Sequence, residues 1–281
     1  MSEGGAGKLF EKRVISAAIV LPLVVAVFVV GGWLYVLLIV LAMLLGGLEY
    51  TRMFRRLGYA MSNPLLMLLI VAWQADAIWA LGVWQLPLVT VLMFAVSLWA
   101  LYRAKEKPDQ HRAVELWALM LAGGMYIGLG GGYLIALRTR PDGLWWLLVT
   151  CGVVWIGDSA AYVVGRRIGR HKMAPTISPG KSWEGYAAQV LSGPIGGLLL
   201  AWLSTLIAGT AHGLVLWHGL VLGFVVSVFC PAGDFLISMM KREVGVKDTG
   251  SLIPGHGGVL DRVDSILWAG TLGYMLATLL A

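Results

Sequence analysis

The sequence has few charged residues and few cysteines. Only 13% of its 281 residues are charged and 59% are hydrophobic, with a mean hydropathy of +0.81. Soluble domains are about a quarter charged, so this composition excludes an ordinary soluble fold and indicates a protein that crosses a membrane several times. The two cysteines, Cys151 and Cys230, both fall in apolar runs. Neither a disulfide framework nor a CxxC metal pair is therefore expected.

Nine apolar stretches are candidates to cross a bilayer, which takes about 20 residues of helix. They cover residues 14–31, 33–50, 63–82, 85–103, 115–137, 144–165, 185–207, 213–237 and 264–280. Only Gly31-Gly32 separates the first two, so these form either a tight hairpin or one broken element. No convincing small-residue cleavage site follows the first run, which favours an uncleaved helix over a signal peptide. We expect an all-α polytopic membrane bundle of about nine transmembrane helices.

The basic residues predict the orientation of the bundle. With the N-terminus in the cytoplasm, all 21 lysines and arginines except Arg138 and Arg140 fall on the cytoplasmic side. The net charge of +6 then reflects topology and contact with anionic lipid, and no nucleic-acid partner is expected. The compact length and the lack of a targeting segment favour a bacterial cytoplasmic membrane, with an organellar membrane as the alternative.

The two halves of the chain differ in character. Residues 1–150 combine short loops with ordinary apolar helices, and glycines in the fifth span are expected to serve helix packing. Within residues 151–281, polar residues enter the spans and two cytoplasmic loops lengthen, at 166–184 and 239–263. We therefore expect N-terminal transmembrane helices over 1–150 and a catalytic transmembrane region over 151–281.

Acidic residues within the spans of the second half point to a cation site. Asp158 lies inside the sixth span, and Asp234 follows Pro231-Ala232-Gly233, which should break or kink the eighth. Asp261 and Asp264 are spaced i, i+3, on one face at the start of the last span. Asp234, Asp261 and Asp264 would repel each other without a cation, which favours one or two Mg²⁺ ions, with Asp158 as a further candidate ligand. The alternative is that local partners and the helix macrodipole satisfy these carboxylates.

Cations, hydroxyls and glycines in the same region suit phosphate groups. In the segment 238–264 they are Lys241, Arg242, Lys247, Gly257, Gly258 and Arg262, together with Asp248 and His256. The earlier loop supplies Ser178, Lys181 and Ser182. Its Ser-Pro-Gly-Lys-Ser run is not a Walker A motif, because position 175 is proline and no strand is expected before it. Contact with lipid headgroups is the alternative for this loop, and pairing with a lysine is the alternative for Asp248.

Other polar residues of the spans are expected to be structural. Glu49 stands at the end of the second predicted span beside Arg52, so an interfacial ion pair is predicted there. Gln74 and Asp76 lie in the third span, away from the predicted site.

The segment 238–264 resembles the signature of the CDP-diacylglycerol synthases, also called phosphatidate cytidylyltransferases. The matching residues are Ser238-x-Met240-Lys241-Arg242, Lys247-Asp248-x-Gly250, Ile253-Pro254-x-His256-Gly257-Gly258-Val259 and Asp261-Arg262-Val263-Asp264. Asp158-Ser159-Ala160-Ala161-Tyr162, Gly165-Arg166 and Ser178-Pro179-x-Lys181-x-x-Glu184-Gly185 also resemble that family. Many members have Lys at the position of Gly180 and Thr at that of Ser182, which leaves a second lysine contact unsupported here. The resemblance covers residues 150–281 in detail.

The resemblance implies that CTP and phosphatidic acid give CDP-diacylglycerol and pyrophosphate, with Mg²⁺ required. Asp234, Asp261 and Asp264 would bind the metal, and Lys241, Arg242, Lys247 and Arg262 would hold phosphate oxygens. Ser178, Lys181 and Ser182 would close over the phosphates, while His256, Gly257, Gly258 and Asp248 complete the substrate site. The expected partners are CTP, phosphatidic acid and the bilayer, and a homodimer is left open. The alternatives are a CTP-dependent lipid kinase and, more remotely, an ion-coupled transporter.

Overall fold

The computed structural model describes residues 21–80, 83–106, 112–209, 213–252 and 257–280. The helices are α1 (Leu21–Val30), α2 (Gly32–Arg56), α3 (Asn63–Ala75), α4 (Gln85–Glu106), α5 (Ala113–Gly123), α6 (Gly130–Thr139), α7 (Gly143–Ile168), α8 (Trp183–Ala208), α9 (Leu216–Phe229), α10 (Pro231–Val244) and α11 (Leu260–Leu280). Two π-helical segments, Asp76–Ala80 and Gly124–Leu129, extend α3 and join α5 to α6. Two strands, β1 (Lys172–Ala174) and β2 (Ser178–Ser182), form an antiparallel pair.

In the part of the chain that the structure describes, seven helices are long and apolar enough to cross a membrane. They are Gly32–Arg56, Gln85–Lys105, Ala113–Thr139, Gly143–Ile168, Trp183–Ala208, Leu216–Val244 and Leu260–Leu280. Two shorter apolar helices, Leu21–Val30 and Asn63–Trp79, occupy the other two predicted positions. The polytopic all-α fold is confirmed, with seven full-length helices where about nine were expected. Residues 14–20 of the first predicted span lie outside the described residues.

The first two predicted spans are separate helices. Gly31 and Gly32 have φ values of 67° and 57°, which lie in the left-handed region that glycine tolerates best. The chain therefore leaves right-handed helical geometry between Val30 and α2.

A β-hairpin replaces much of the loop predicted over 166–184. Helix α7 continues to Ile168, after which Lys172 pairs with Ser182 and Ala174 pairs with Ser178. The Ser182 hydroxyl accepts a hydrogen bond from the Gly185 N–H at 3.2 Å and so caps the start of α8. Strands this short carry no clear alternation of polar and apolar residues, so the sequence pattern did not predict them.

The helix predicted to break or kink at Pro231 is interrupted at a single residue, Cys230, and the part after it is longer than expected. Cys230 separates α9 from α10, and Pro231 takes the first helical position, where its missing N–H costs nothing. Helix α10 ends at Gly245, whose φ of 73° is a left-handed cap. Lys241 and Arg242, predicted to lie in a loop, therefore lie on the last turn of α10.

Glycines allow the helices of the second half to approach closely. A side chain at Gly197 would collide with the carbonyl oxygen of Gly219, and one at Gly193 would collide with that of Gly223. Helices α8 and α9 thus pack backbone to backbone, as small residues permit in a membrane. The packing role predicted for the glycines of the fifth span is also found, because a Cβ at Gly131 would lie 2.5 Å from Cγ of Met43.

Candidate active site

Asp234 lies where the hairpin meets α10. Its Oδ2 forms an ion pair with Nζ of Lys181 at 2.8 Å, and its Oδ1 accepts a hydrogen bond from the Ser238 hydroxyl at 3.0 Å. The same lysine nitrogen stands 4.2 Å from the centre of the Phe235 ring. Strand β2 therefore supplies the cation and α10 supplies the carboxylate. Both side chains are partly accessible, with 26% of Lys181 and 35% of Asp234 exposed.

Asp264 is placed next to Asp234 by the contact between α10 and α11. A side chain at Gly233 would collide with the carbonyl oxygen of Asp264, so glycine is required for this approach. The Asp264 side chain is buried, and its Oδ1 accepts the Ser265 N–H at 2.6 Å. Its carboxylate lies within electrostatic range of Asp234, Lys181 and Lys241. Two carboxylates and two lysines from three elements thus form one polar cluster.

Asp261 lies three residues from Asp264 but has different partners. Its Oδ1 pairs with Nζ of Lys241 at 2.7 Å, in a buried ion pair whose side chains are 3% and 11% exposed. Its Oδ2 accepts hydrogen bonds from Thr249 N and Gly258 N at 2.8 and 3.0 Å, and the Thr249 hydroxyl oxygen lies 2.9 Å from it. The ion pair and these hydrogen bonds offset the free-energy cost of removing the Asp261 carboxylate from water. Both oxygens of this predicted metal ligand are already engaged by donors from the chain itself.

Asp158 faces the same cluster from α7. Its side chain is exposed, and its Oδ1 lies 3.3 Å from the Gln189 amide nitrogen on α8. Lys181 and Asp234 lie within electrostatic range of it. An accessible carboxylate ten residues before the end of a spanning helix is tolerated where it lines a polar cavity. Asp158 therefore borders the Lys181–Asp234 pair.

The remaining predicted residues differ in burial and contacts. Arg242 ties the hairpin to α10, since its Nε donates to the Ile177 carbonyl at 3.1 Å. Lys247, Asp248 and Arg262 are exposed, Ser178 is half-buried on β2, and Ser182 is buried as the α8 cap. Gly257 has a φ of 83°, and a Cβ there would lie 2.9 Å from Oδ2 of Asp261. His256 lies outside the described residues.

The three aspartates predicted to bind Mg²⁺, Asp234, Asp261 and Asp264, do not come together as one group of metal ligands. Within the described ranges, no three His, Cys, Asp or Glu side chains are grouped so that they could hold a metal ion by themselves. Asp234 and Asp264 are neighbours, whereas Asp261 is turned towards Lys241. The magnesium site at Asp234, Asp261 and Asp264 stays a prediction.

Glu49 is the residue of the site that the sequence interpretation missed. Its side chain is 3% exposed, and its carboxylate accepts hydrogen bonds at 2.9 Å from Val259 N and Leu260 N. The Thr249 hydroxyl oxygen also lies 2.9 Å from Oε2 of Glu49. Among the residues that the structure describes, no ion pair joins Glu49 to Arg52, so that prediction is wrong. The reason is helix length: α2 continues to Arg56, so Glu49 lies about two turns inside the helix rather than at its end.

Comparison with known proteins extends the similarity over nearly the whole chain. The sequence profile of the cytidylyltransferase family matches residues 11–280. A phosphatidate cytidylyltransferase of Synechocystis sp. is 30% identical over 300 residues, covering 96% of this chain and 97% of the relative. That of Bacillus subtilis is 36% identical over 190 residues, covering 67% and 68% of the two chains.

A third relative of the same name matches over a shorter stretch. The phosphatidate cytidylyltransferase of Staphylococcus saprophyticus is 39% identical over 145 residues, which is 51% of this chain and 52% of the relative. In this match the chain spans about half the relative's length. The family profile includes the N-terminal helices, for which the sequence pattern alone predicted only a membrane location. The chain belongs to the cytidylyltransferase family.

Proposed function

We propose that this protein transfers the cytidylyl group of CTP to phosphatidic acid, giving CDP-diacylglycerol and pyrophosphate. The observation that carries the proposal is the cluster of Asp234, Asp264, Lys181 and Lys241, which gathers residues from β2, α10 and α11. Carboxylates beside lysines in a membrane bundle suit two phosphate-bearing substrates, one of them a lipid. The family membership and the names of the relatives support the same reaction.

The reaction needs alignment and charge neutralisation more than proton transfer. A phosphate oxygen of phosphatidic acid attacks the α-phosphorus of CTP and forms a new P–O bond. The bond from the α-phosphorus to the oxygen that bridges to the β-phosphate breaks, and pyrophosphate leaves with that electron pair. Because a phosphate monoester is already largely ionised near neutral pH, no general base is required. The chain therefore contributes cations and rigid placement.

Lys181 and Lys241 would provide these cations in different ways. Lys181 is partly accessible on the hairpin, so it can leave Asp234 and contact a phosphate oxygen. Lys241 is buried and fixed by Asp261, so it would present a positive charge at a constant position. Ser178, Arg242, Lys247 and Arg262 would contact the outer phosphates.

Mg²⁺ fits the donors of the cluster. Asp234 and Asp264 offer hard carboxylate oxygens, with Asp158 bordering them. Mg²⁺ usually takes one or two carboxylates and completes its octahedron with water and substrate phosphates, so a closed group of three protein ligands is not needed. When bound, the ion would supply positive charge to the phosphate oxygens and the leaving pyrophosphate. Asp261 would act mainly through Lys241, which it holds.

The site would face the cytoplasm. Arg166, Arg167, Arg170 and Lys172 cluster at the end of α7 and the start of the hairpin. Basic residues near span ends stay on the cytoplasmic side, where CTP is available. A bacterial cytoplasmic membrane is the proposed location.

The test is product formation by the purified protein in detergent with Mg²⁺, CTP and phosphatidic acid. We expect CDP-diacylglycerol from the wild type, none after chelation with EDTA, and a loss of about 100-fold or more in Asp264→Asn, as for groups acting in the transition state. Asp76→Asn is the matched control, because Asp76 is also a buried aspartate on a membrane helix but accepts the Trp84 N–H at 3.0 Å. Lipid phosphate and CDP as products would identify a kinase. No cytidylyl lipid from folded wild type would overturn the proposal.

A further inference from the structure

We propose that Glu49 is a positioning residue, which holds the start of α11 and the segment before it so that Asp261 and Lys241 are correctly placed. This inference rests on the proposed function. It assigns a role in that site to a helix of the N-terminal half, for which the sequence predicted only a transmembrane scaffold.

The Glu49 carboxylate caps α11 from another helix. The first N–H groups of a helix have no partner within it, and an anion there also gains from the helix dipole. Oε1 of Glu49 accepts the Val259 N–H and Oε2 accepts the Leu260 N–H, both at 2.9 Å. Both contacts bridge more than 200 residues of sequence. The position of α11 relative to α2 is therefore fixed at the helix end that carries Asp261.

Thr249 connects this cap to the ion pair of the site. Its hydroxyl lies 2.9 Å from Oε2 of Glu49 and 2.9 Å from Oδ2 of Asp261. A hydroxyl carries one proton, so it can donate to only one of these carboxylates at a time. Asp261 in turn holds Nζ of Lys241 at 2.7 Å. A change at Glu49 is thus transmitted through Thr249 to a predicted phosphate-binding lysine.

Two glycines show how closely the chain passes over Glu49. A Cβ at Gly250 would lie 2.6 Å from Oε1 of Glu49, and one at Gly258 would collide with Oε2. Neither glycine has a positive φ, so the requirement is for space and not for an unusual backbone conformation. Gly250 and Gly258 therefore leave no room for a side chain beside this carboxylate.

Glu49→Gln tests the inference with almost no change of shape. In either orientation of the new side-chain amide, its NH₂ group faces a backbone N–H donor. At least one of the hydrogen bonds from Val259 N and Leu260 N is therefore lost. A small misplacement of catalytic groups costs up to about 100-fold in rate, and we expect kcat to fall by about 10- to 100-fold, with KM for CTP changing less than about threefold. Glu49→Asp keeps the charge but is one methylene shorter, and should recover part of the lost kcat.

Hydrogen exchange gives a readout independent of activity. In Glu49→Gln, amides in 245–252 and 257–260 should exchange at least about tenfold faster, as expected when a hydrogen bond worth about 1.4 kcal/mol or more is lost. Tyr35→Phe is the matched control on α2, because it removes the buried hydrogen bond from Tyr35 to the Leu134 carbonyl at 2.7 Å. That variant should change neither exchange in this segment nor kcat.

The inference fails if Glu49→Gln keeps wild-type kcat and exchange. It also fails if Tyr35→Phe, at an equal loss of Tm, shows the same fall in kcat. If Glu49→Gln does not fold, Thr249→Val removes the connection without removing a charge, and it should show the same kcat loss and faster exchange. Wild type that forms no cytidylyl lipid would refute the proposed function, while the exchange comparison would still decide the role of Glu49.

Discussion

Two aspartates on one helix face show why spacing alone does not define a role. Asp261 and Asp264 both lie at the start of α11, three residues apart, and both are buried. Asp261 is saturated by Lys241, Thr249 and Gly258, whereas Asp264 lies beside Asp234. The difference arises from the positions of Lys241, Thr249 and Gly258 around Asp261, which the sequence does not reveal. We therefore expect Asp264 to be the more direct participant in metal binding.

The Lys241–Asp261 ion pair should be structural as well as functional. Lys241→Met leaves a buried carboxylate without its cation, which should cost about 3 kcal/mol of unfolding free energy. Adding Asp261→Asn should recover part of that loss, because no unpaired charge then remains. Unfolding by denaturant in detergent would measure both variants. Equal stability of Lys241→Met and wild type would show that the pair contributes nothing to the fold.

Lys181 should matter for substrate binding and little for stability. Its ion pair with Asp234 is partly exposed, and exposed pairs contribute at most about 1 kcal/mol. Lys181→Met should leave Tm nearly unchanged and lower kcat/KM for CTP by about 10- to 100-fold, as for loss of a charged hydrogen bond to phosphate worth about 1.5–3 kcal/mol. Lys172→Met is the matched control, an exposed lysine on the other strand of the same hairpin. Equal losses in the two variants would argue against a specific phosphate contact.

At the scale of elements, hydropathy predicted where helices lie better than where they end. Helices α2 and α10 continue through Arg56 and Val244, beyond the predicted span ends at 50 and 237. Arginine, lysine and glutamate are good helix formers, so the helix does not stop where the apolar run stops. Residues discussed for the site lie near both of these helix ends: Glu49 in α2 and Lys241 in α10. The hairpin was not predicted, because strands of at most five residues are too short to show a clear alternation of polar and apolar residues.

The close packing of α8 and α9 gives an element-scale prediction. Gly197→Ala places a methyl group against the Gly219 carbonyl and should destabilise the fold by about 1–3 kcal/mol. Gly46→Ala is the matched control, because its nearest neighbour would be Leu260 Cδ1 at an ordinary 3.6 Å. That change should stay within about 1 kcal/mol of wild type, given the better helix propensity of alanine. Thermal unfolding in detergent compares the two, and a larger loss for Gly46→Ala would contradict the packing described.

At the scale of the whole molecule, the fold class and the family were predictable from the sequence, but the contacts between the halves were not. Composition and apolar runs depend on local sequence, and so do the residues of the 238–264 signature. The link between Glu49 and Thr249 joins positions 200 residues apart, which no local pattern encodes. The N-terminal helices therefore take part in shaping the region that carries the predicted site residues.

The central claim is that the α-phosphorus of CTP is transferred to the lipid. The most direct measurement incubates the purified protein, Mg²⁺ and phosphatidic acid with CTP labelled at either the α- or the γ-phosphate. We expect the α-label in the lipid product and the γ-label in pyrophosphate, with neither transfer in Asp264→Asn. Transfer of the γ-label to lipid, or no lipid label from folded wild type, would contradict it.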